Sequence, residues 1–146
     1  IWFIKGVKPF VPPSLGQSRL QLDYSSLGII NMDIRIITEA IAKKALEEIA
    51  KHQFGDMVKA VVDIQRNIMA IGGELHADEE AILLENGSKQ TDLWGINLYI
   101  DKPGEEWIEF NSMINIRPSQ NNRSRSVENQ DTQKKIKAIV ASLIIL

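Results

Sequence analysis

Residues 70–80, AIGGELHADEE, set one imidazole among four carboxylates: Glu74 stands two residues before His76, and Asp78, Glu79 and Glu80 follow it. In an extended backbone residues i and i+2 project to the same side. Glu74 is then placed to orient His76 as a general base, or the two to share a metal ion. The same stretch also reads as a glycine turn leading into a solvated helix. Gly72 and Gly73 allow either a sharp turn or the close approach of another group. Transition-metal sites are usually anchored by two or three histidine or cysteine ligands. The chain has two histidines and no cysteine, and His52 has no partner nearby in sequence, so no metal is expected. Glu74, Asp78 and Asp92 offer oxygens to a hard cation but lie in no recognisable loop pattern.

A second polar group follows. Asn97, Tyr99, Glu109, Asn111, Asn115 and Arg117 fall on one face of an expected strand pair. Antiparallel sheets often have one wet side. Asparagine is nevertheless a poor strand former, and amides beside a forked cation suit recognition of a carboxylate or phosphate. The next loop, PSQNNRSR, carries two asparagines, a glutamine, two serines and two arginines, groups able to wrap an anion. The expected site therefore has His76 and Glu74 as catalytic residues and Gln90, Asp92, Trp94, Asn115, Arg117, Asn122 and Arg123 as ligand-binding residues. Arg117 and Arg123 would hold an anionic or nucleotide-like molecule, and His76 would orient it or move a proton. The pattern specifies no cofactor. There is no Walker loop, dinucleotide fingerprint, nucleophile elbow or HExxH helix.

These residues need elements to position them. DIRII predicts a short strand. Thr38 is a candidate N-cap for a helix in which Ala42, Ala45, Leu46, Ile49 and Ala50 form an apolar stripe, with Gly55 as its stop. MVKAVVDIQRNIMAIGG reads as a hairpin, Val58–Ile64 and Ile68–Gly73 around a turn at Gln65–Asn67, because β-branched residues dominate it. A single long helix is the competing reading. Residues 77–86 suit a short helix, with a strand as the alternative. DLWGINLYI and WIEFNSMINIR form a second hairpin turning at Pro103-Gly104. Its expected register pairs Ile100 with Ile108, Leu98 with Phe110 and Ile96 with Ser112. Asn129 or Asp131 caps a last helix striped by Ile136, Ile139, Val140 and Leu143. The fold class is thus α+β: a mainly antiparallel sheet of about four strands packed with an N-terminal and a C-terminal helix.

With 146 residues, 44% hydrophobic and 25% charged, the chain suits one domain with one core. Residues 1–31 hold three of the five prolines and keep neither helical nor strand period. They read as an N-terminal extension outside a single domain at 32–146, with SRLQLDY as an optional edge strand. No run approaches the roughly 20 apolar residues of a membrane span, the start lacks the pattern of a signal peptide, and the absence of cysteine fits a cytoplasmic location. Acidic residues gather over 74–92 and basic ones over 117–137, blocks that can steer a charged ligand or simply pair with each other.

The segments VVDI…IMAIGGELHADEE…LLENGSKQTDLWGINLY (61–99) and IEFNSMINIRPSQNNRS (108–124) resemble a small prokaryotic family known as a domain of unknown function. The likeness runs from about Met32 to Leu143 and implies Met32 as the natural start. It brings no established activity. The leading functional reading is a binding or enzymatic pocket for a small anionic or nucleotide-like molecule. The alternative is a non-catalytic interaction module or homodimer, modestly supported by the apolar ASLIIL end. Nucleic-acid binding through Arg117, Arg123 and Arg125 is a lesser reading, because the chain is acidic overall and the loop lacks aromatic residues for base stacking.

Overall fold

The computed structural model describes residues 34–146; the expected extension at 1–31, its optional edge strand and Met32 lie outside the described residues. The elements run β1 (Arg35–Ile37), β2 (Ile41–Ala42), α1 (Lys43–His52), β3 (Met57–Asp63), β4 (Ile68–Ile71), α2 (His76–Glu85), β5 (Leu93–Tyr99), β6 (Ile108–Glu109), α3 (Gln130–Leu143) and β7 (Ile144–Ile145). Four short 3-10 turns punctuate the second half. Five strands form one antiparallel sheet in the order β1-β4-β3-β5-β6, while β2 and β7 make a separate parallel pair. The class is α+β, with one strand more than the four expected.

The first hairpin forms where the β-branched run predicts it. Asp63 sets its turn: Oδ1 accepts the N–H groups of Gln65 and Arg66, each at 2.9 Å, and Asn67 takes the left-handed conformation, φ 58°, which asparagine tolerates. Residues 76–85 are helical. Leu83, on the sheet-facing side of α2, fills the cluster of Val61, Ile68, Ala70 and Leu93. The opposite face of the sheet holds the larger core, where Val58, Ala60, Val62, Met69, Ile71, Trp94, Ile96 and Leu98 meet Leu46 and Ala50 of α1 and Ile136, Ile139, Val140 and Leu143 of α3. β3, β4 and β5 are therefore covered on both faces.

Two boundaries differ from expectation. Thr38 does not cap α1. The helix starts at Lys43 after an extended Ala42 that makes no side-chain cap, because Ile41 and Ala42 are held in strand pairing with Ile144 and Ile145. Gly55 does close the helix end: its φ is 90° and its N–H donates to the Ala50 carbonyl at 2.6 Å. At α3 the cap is Asn129, whose Oδ1 accepts from the Thr132 N–H at 2.9 Å.

The second hairpin is shorter and shifted by two residues. Leu98 faces Ile108 and Asn97 faces Glu109, where Leu98 opposite Phe110 was expected. An even shift keeps every side chain on its expected face. β6 ends at Glu109 because the next residues fold back on themselves. Ser112 Oγ accepts from the Ile114 N–H at 3.2 Å, and Met113–Asn115 becomes a 3-10 turn, the local competition with strand pairing that serine and asparagine favour. Asn115 and Arg117 thus lie on turns instead of a strand face.

Candidate functional site

Among the described residues no strand continues along the edge of β5 beyond Glu109, and polar side chains complete it. Asn115 is fully buried. Its Oδ1 accepts from the Gly95 N–H at 2.8 Å and its Nδ2 donates to the Gly95 carbonyl at 3.0 Å and to the Arg125 carbonyl at 2.9 Å. One carboxamide so imitates the peptide of a missing strand. Two residues along, Arg117 donates from Nη2 to the Leu93 carbonyl and from Nη1 to the Gln90 carbonyl. Its guanidinium lies over the Trp94 ring, 4.1 Å from the centroid, a cation–π contact. Burial lowers the Arg117 pKa, while the charges of Glu80 and Asp92 oppose that shift. Asn122 closes the following loop: Nδ2 donates to the carbonyls of Asn115 and Ser126 at 2.8 and 2.7 Å, and Oδ1 accepts from the Glu128 N–H at 2.8 Å.

His76 reaches the same strand from the helix packed over it. Its Nε2 sits 2.8 Å from the Ile96 carbonyl, so the neutral ring donates from that nitrogen. Burial is the main cause that lowers its pKa to about 4, helped by the charges of Lys59 and Arg125 and opposed by the bonds to Ile96 and Asn97. Gly95 makes the room: a Cβ there would stand 2.6 Å from Ser112 Oγ and 3.2 Å from His76 Cδ2. A glycine inside a strand commonly marks such an approach. His76 opens α2 directly after an extended Leu75, and its ring is buried. Glu74 is exposed on the preceding turn. The carboxyl group that goes inward is that of Glu79, fully buried, with Oε2 accepting from the Gly73 N–H at 2.8 Å.

Against this knot lies an open cleft of about 380 Å³ between Thr91, the 118–122 turn and the start of α3. Trp94 and Ile64 line it beside Thr91, Gln120, Asn121, Asn122, Glu128, Asn129 and Thr132. Asn121 is held left-handed, φ 60°, and Gln120 Nε2 donates to the Thr91 carbonyl at 3.1 Å. The indole Nε1 of Trp94 is buried and has no hydrogen-bond partner among the described residues. Among the described residues the lining holds a single ionisable group, Glu128. Hydrogen bonds from Ser124 and Arg123 lower its pKa, with help from the Arg123 charge, so it is a carboxylate at neutral pH.

A family model described as a protein of unknown function, DUF5674, matches residues 35–143. The chain belongs to the DUF5674 family. No curated protein and no solved structure matches it. Within this DUF5674 domain most of the residues singled out in sequence lie around β5, while Glu74 and Arg123 are exposed away from it. Trp94 and Asn122 line the cleft, Asn115 and Arg117 clamp the strand edge, and Gln90 supplies a main-chain acceptor. Asp92 acts on Arg117 through its charge, and the backbone N–H of Arg123 donates to Glu128. His76 meets the strand at Ile96, three residues from the Leu93 contact of Arg117, roughly 10 Å along a strand. Among the described residues no cluster of three or more acidic or histidine side chains is placed to hold a metal, and no helix is long and apolar enough to cross a membrane.

Sequence reasoning missed Gln120, Asn129 and Thr132 as lining residues, and Gly95, Ser112 and Glu79 as partners of the buried polar groups. The glycine within DLWGINLYI was the available signal for the second set.

Proposed function

We propose that this DUF5674 domain is a small-molecule-binding module with the cleft beside Trp94 as its site, taking an uncharged, hydrogen-bonding group such as a nucleobase with its sugar. The observation that carries the reading is a concave surface of amides and hydroxyls beside Trp94, whose indole N–H is buried without a partner among the described residues. Binding sites commonly pair a few convergent polar groups with an aromatic wall. The anionic half of the expectation finds less support. Both terminal nitrogens of Arg117 are committed to main-chain carbonyls, and Glu128 gives the lining a negative charge. Proton transfer from His76 is not part of the proposal either, since His76 is absent from the cleft lining.

Equilibrium binding by calorimetry, using the four ribonucleosides, their monophosphates and a set of monosaccharides, tests this. A neutral nucleoside or sugar should bind, its affinity should fall at least tenfold in Gln120→Ala and Thr132→Val, and a phosphate should add nothing. Binding by the monophosphates alone, or equal binding by both variants, contradicts it.

The interaction reading retains two observations. At the apolar end Ile144 is buried, but Ile145 and Leu146 are exposed. Leu75 and Met113 are 58% and 65% exposed and flank, in sequence, the two residues packed on Gly95. A concentration-dependent mass in light scattering, abolished by Met113→Ser, would favour that reading.

A further inference from the structure

α2 stands on the sheet through two feet of different chemistry. Leu83, near its end, is held in the apolar cluster of Val61, Ile68, Ala70 and Leu93. His76 and Glu79, in its first turn, sit three residues apart on one face, a spacing that makes side chains neighbours, and both are buried. Each occupies room left by a missing Cβ. A Cβ at Gly73 would stand 2.7 Å from Glu79 Cγ, and one at Gly95 would stand 3.2 Å from His76 Cδ2.

The first turn is weakly tied in other ways. Leu75 at its N-cap makes no side-chain cap, although the cap bond is a common source of helix-start stability. The chain enters through Gly72, whose φ is 94°. One buried polar atom in this foot, Glu79 Oε1, has no partner among the described residues. Unsatisfied buried polar atoms in a folded protein call for an explanation beyond packing.

We propose that the first turns of α2 form a latch that stays seated only while His76 and Glu79 are both uncharged. Charging either residue lifts 74–80 from the sheet while Leu83 keeps the rest of the helix in place. An imidazolium at 76 would face Lys59 of β3, Arg125 of the loop before α3 and the positive end of its own helix. A carboxylate at 79 would be desolvated and next to Asp78, with Lys59 opposing. Burial already moves both groups in the matching directions, His76 down to about 4 and Glu79 well above the ordinary carboxylate value. Lifting the latch uncovers Gly95, Asn97 and Ser112 beside Lys59, a polar strip of sheet that the closed form hides.

Hydrogen exchange by mass spectrometry on the full chain, corrected for intrinsic rates and run from pH 3.5 to 9, tests the latch. Amides of 76–80 should lose at least tenfold protection as pH falls towards 4, at a pH where amides of β3 and Leu83 remain protected. His76→Gln, which retains a donor for the Ile96 carbonyl, should hold the 76–80 amides closed at that pH. Glu79→Gln should hold them closed at the alkaline end. Loss of 76–80 only together with β3 at every pH overturns the proposal, as does an unchanged acid profile in His76→Gln. An NMR titration of His76 in the unaltered protein gives an answer independent of folding of the variants. A ring that titrates without any change in the 76–80 amides also overturns it.

Discussion

At the scale of single residues the buried polar groups make quantitative demands. Gly95→Ala puts a methyl 2.6 Å from Ser112 Cβ and Oγ, and such overpacking costs about 1–3 kcal/mol, readable as a lower midpoint in urea unfolding. His76 and Glu79 shape the dependence of stability on pH. His76 has a folded pKa near 4 against 6.5 for the free side chain. The unfolded chain therefore takes its proton first, and stability falls as pH drops from 6.5 to 4, by about 3 kcal/mol in all. Glu79 has a folded pKa above its ordinary value of 4.5, so the unfolded chain ionises first and stability falls as pH rises above 4.5. The two slopes oppose each other between 4.5 and 6.5, and stability should be flat there and decline on both sides. Glu79→Gln should abolish the alkaline decline and leave the acid one, and His76→Gln should do the reverse. Urea unfolding across that pH range reads both.

At the scale of elements, the β5 edge shows what a sequence pattern conveys and what it hides. The hairpin of β3 and β4 was legible because Val and Ile alternate with a turn that Asp63 and Asn67 can make. The burial of Trp94, Ile96 and Leu98 followed from period-two spacing. The partner strand was not legible beyond two residues. Apolar alternation continues through Ile114 and Ile116, yet Ser112 and Asn115 divert the backbone into a turn whose energy comes from bonds to Gly95, distant in sequence. A carboxamide standing in for a strand has no periodicity to reveal it. Asn115→Ala leaves the Gly95 N–H and carbonyl unpaired in the interior, and the cost should be on the order of 3 kcal/mol. Asn115→Asp should be no better, because it loses both donors and buries a charge. Thermal unfolding of the two variants against the parent protein checks this.

At the scale of the whole molecule, the histidine turn and the segment of Asn115 and Arg117 both bond to β5, but His76 does not share the cleft that Trp94 and Asn122 line. The partition of roles among those residues was not legible. Arg117, Asn115 and Asn122 have the chemistry of ligand recognition, and here that chemistry is spent on main-chain groups of β5 and the loop. What remains open to solvent is the neighbouring cleft, built by Gln120, Asn121, Asn129 and Thr132 from segments that only the packing of α3 brings beside Trp94. The most direct measurement is the indole N–H resonance of Trp94, assigned with Trp94→Phe, during titration with neutral nucleosides and sugars. A saturable shift of that proton, together with the side-chain amides of Gln120 and Asn121, is the predicted result. A resonance that stays in place while a bound ligand perturbs another face of the protein would contradict the account.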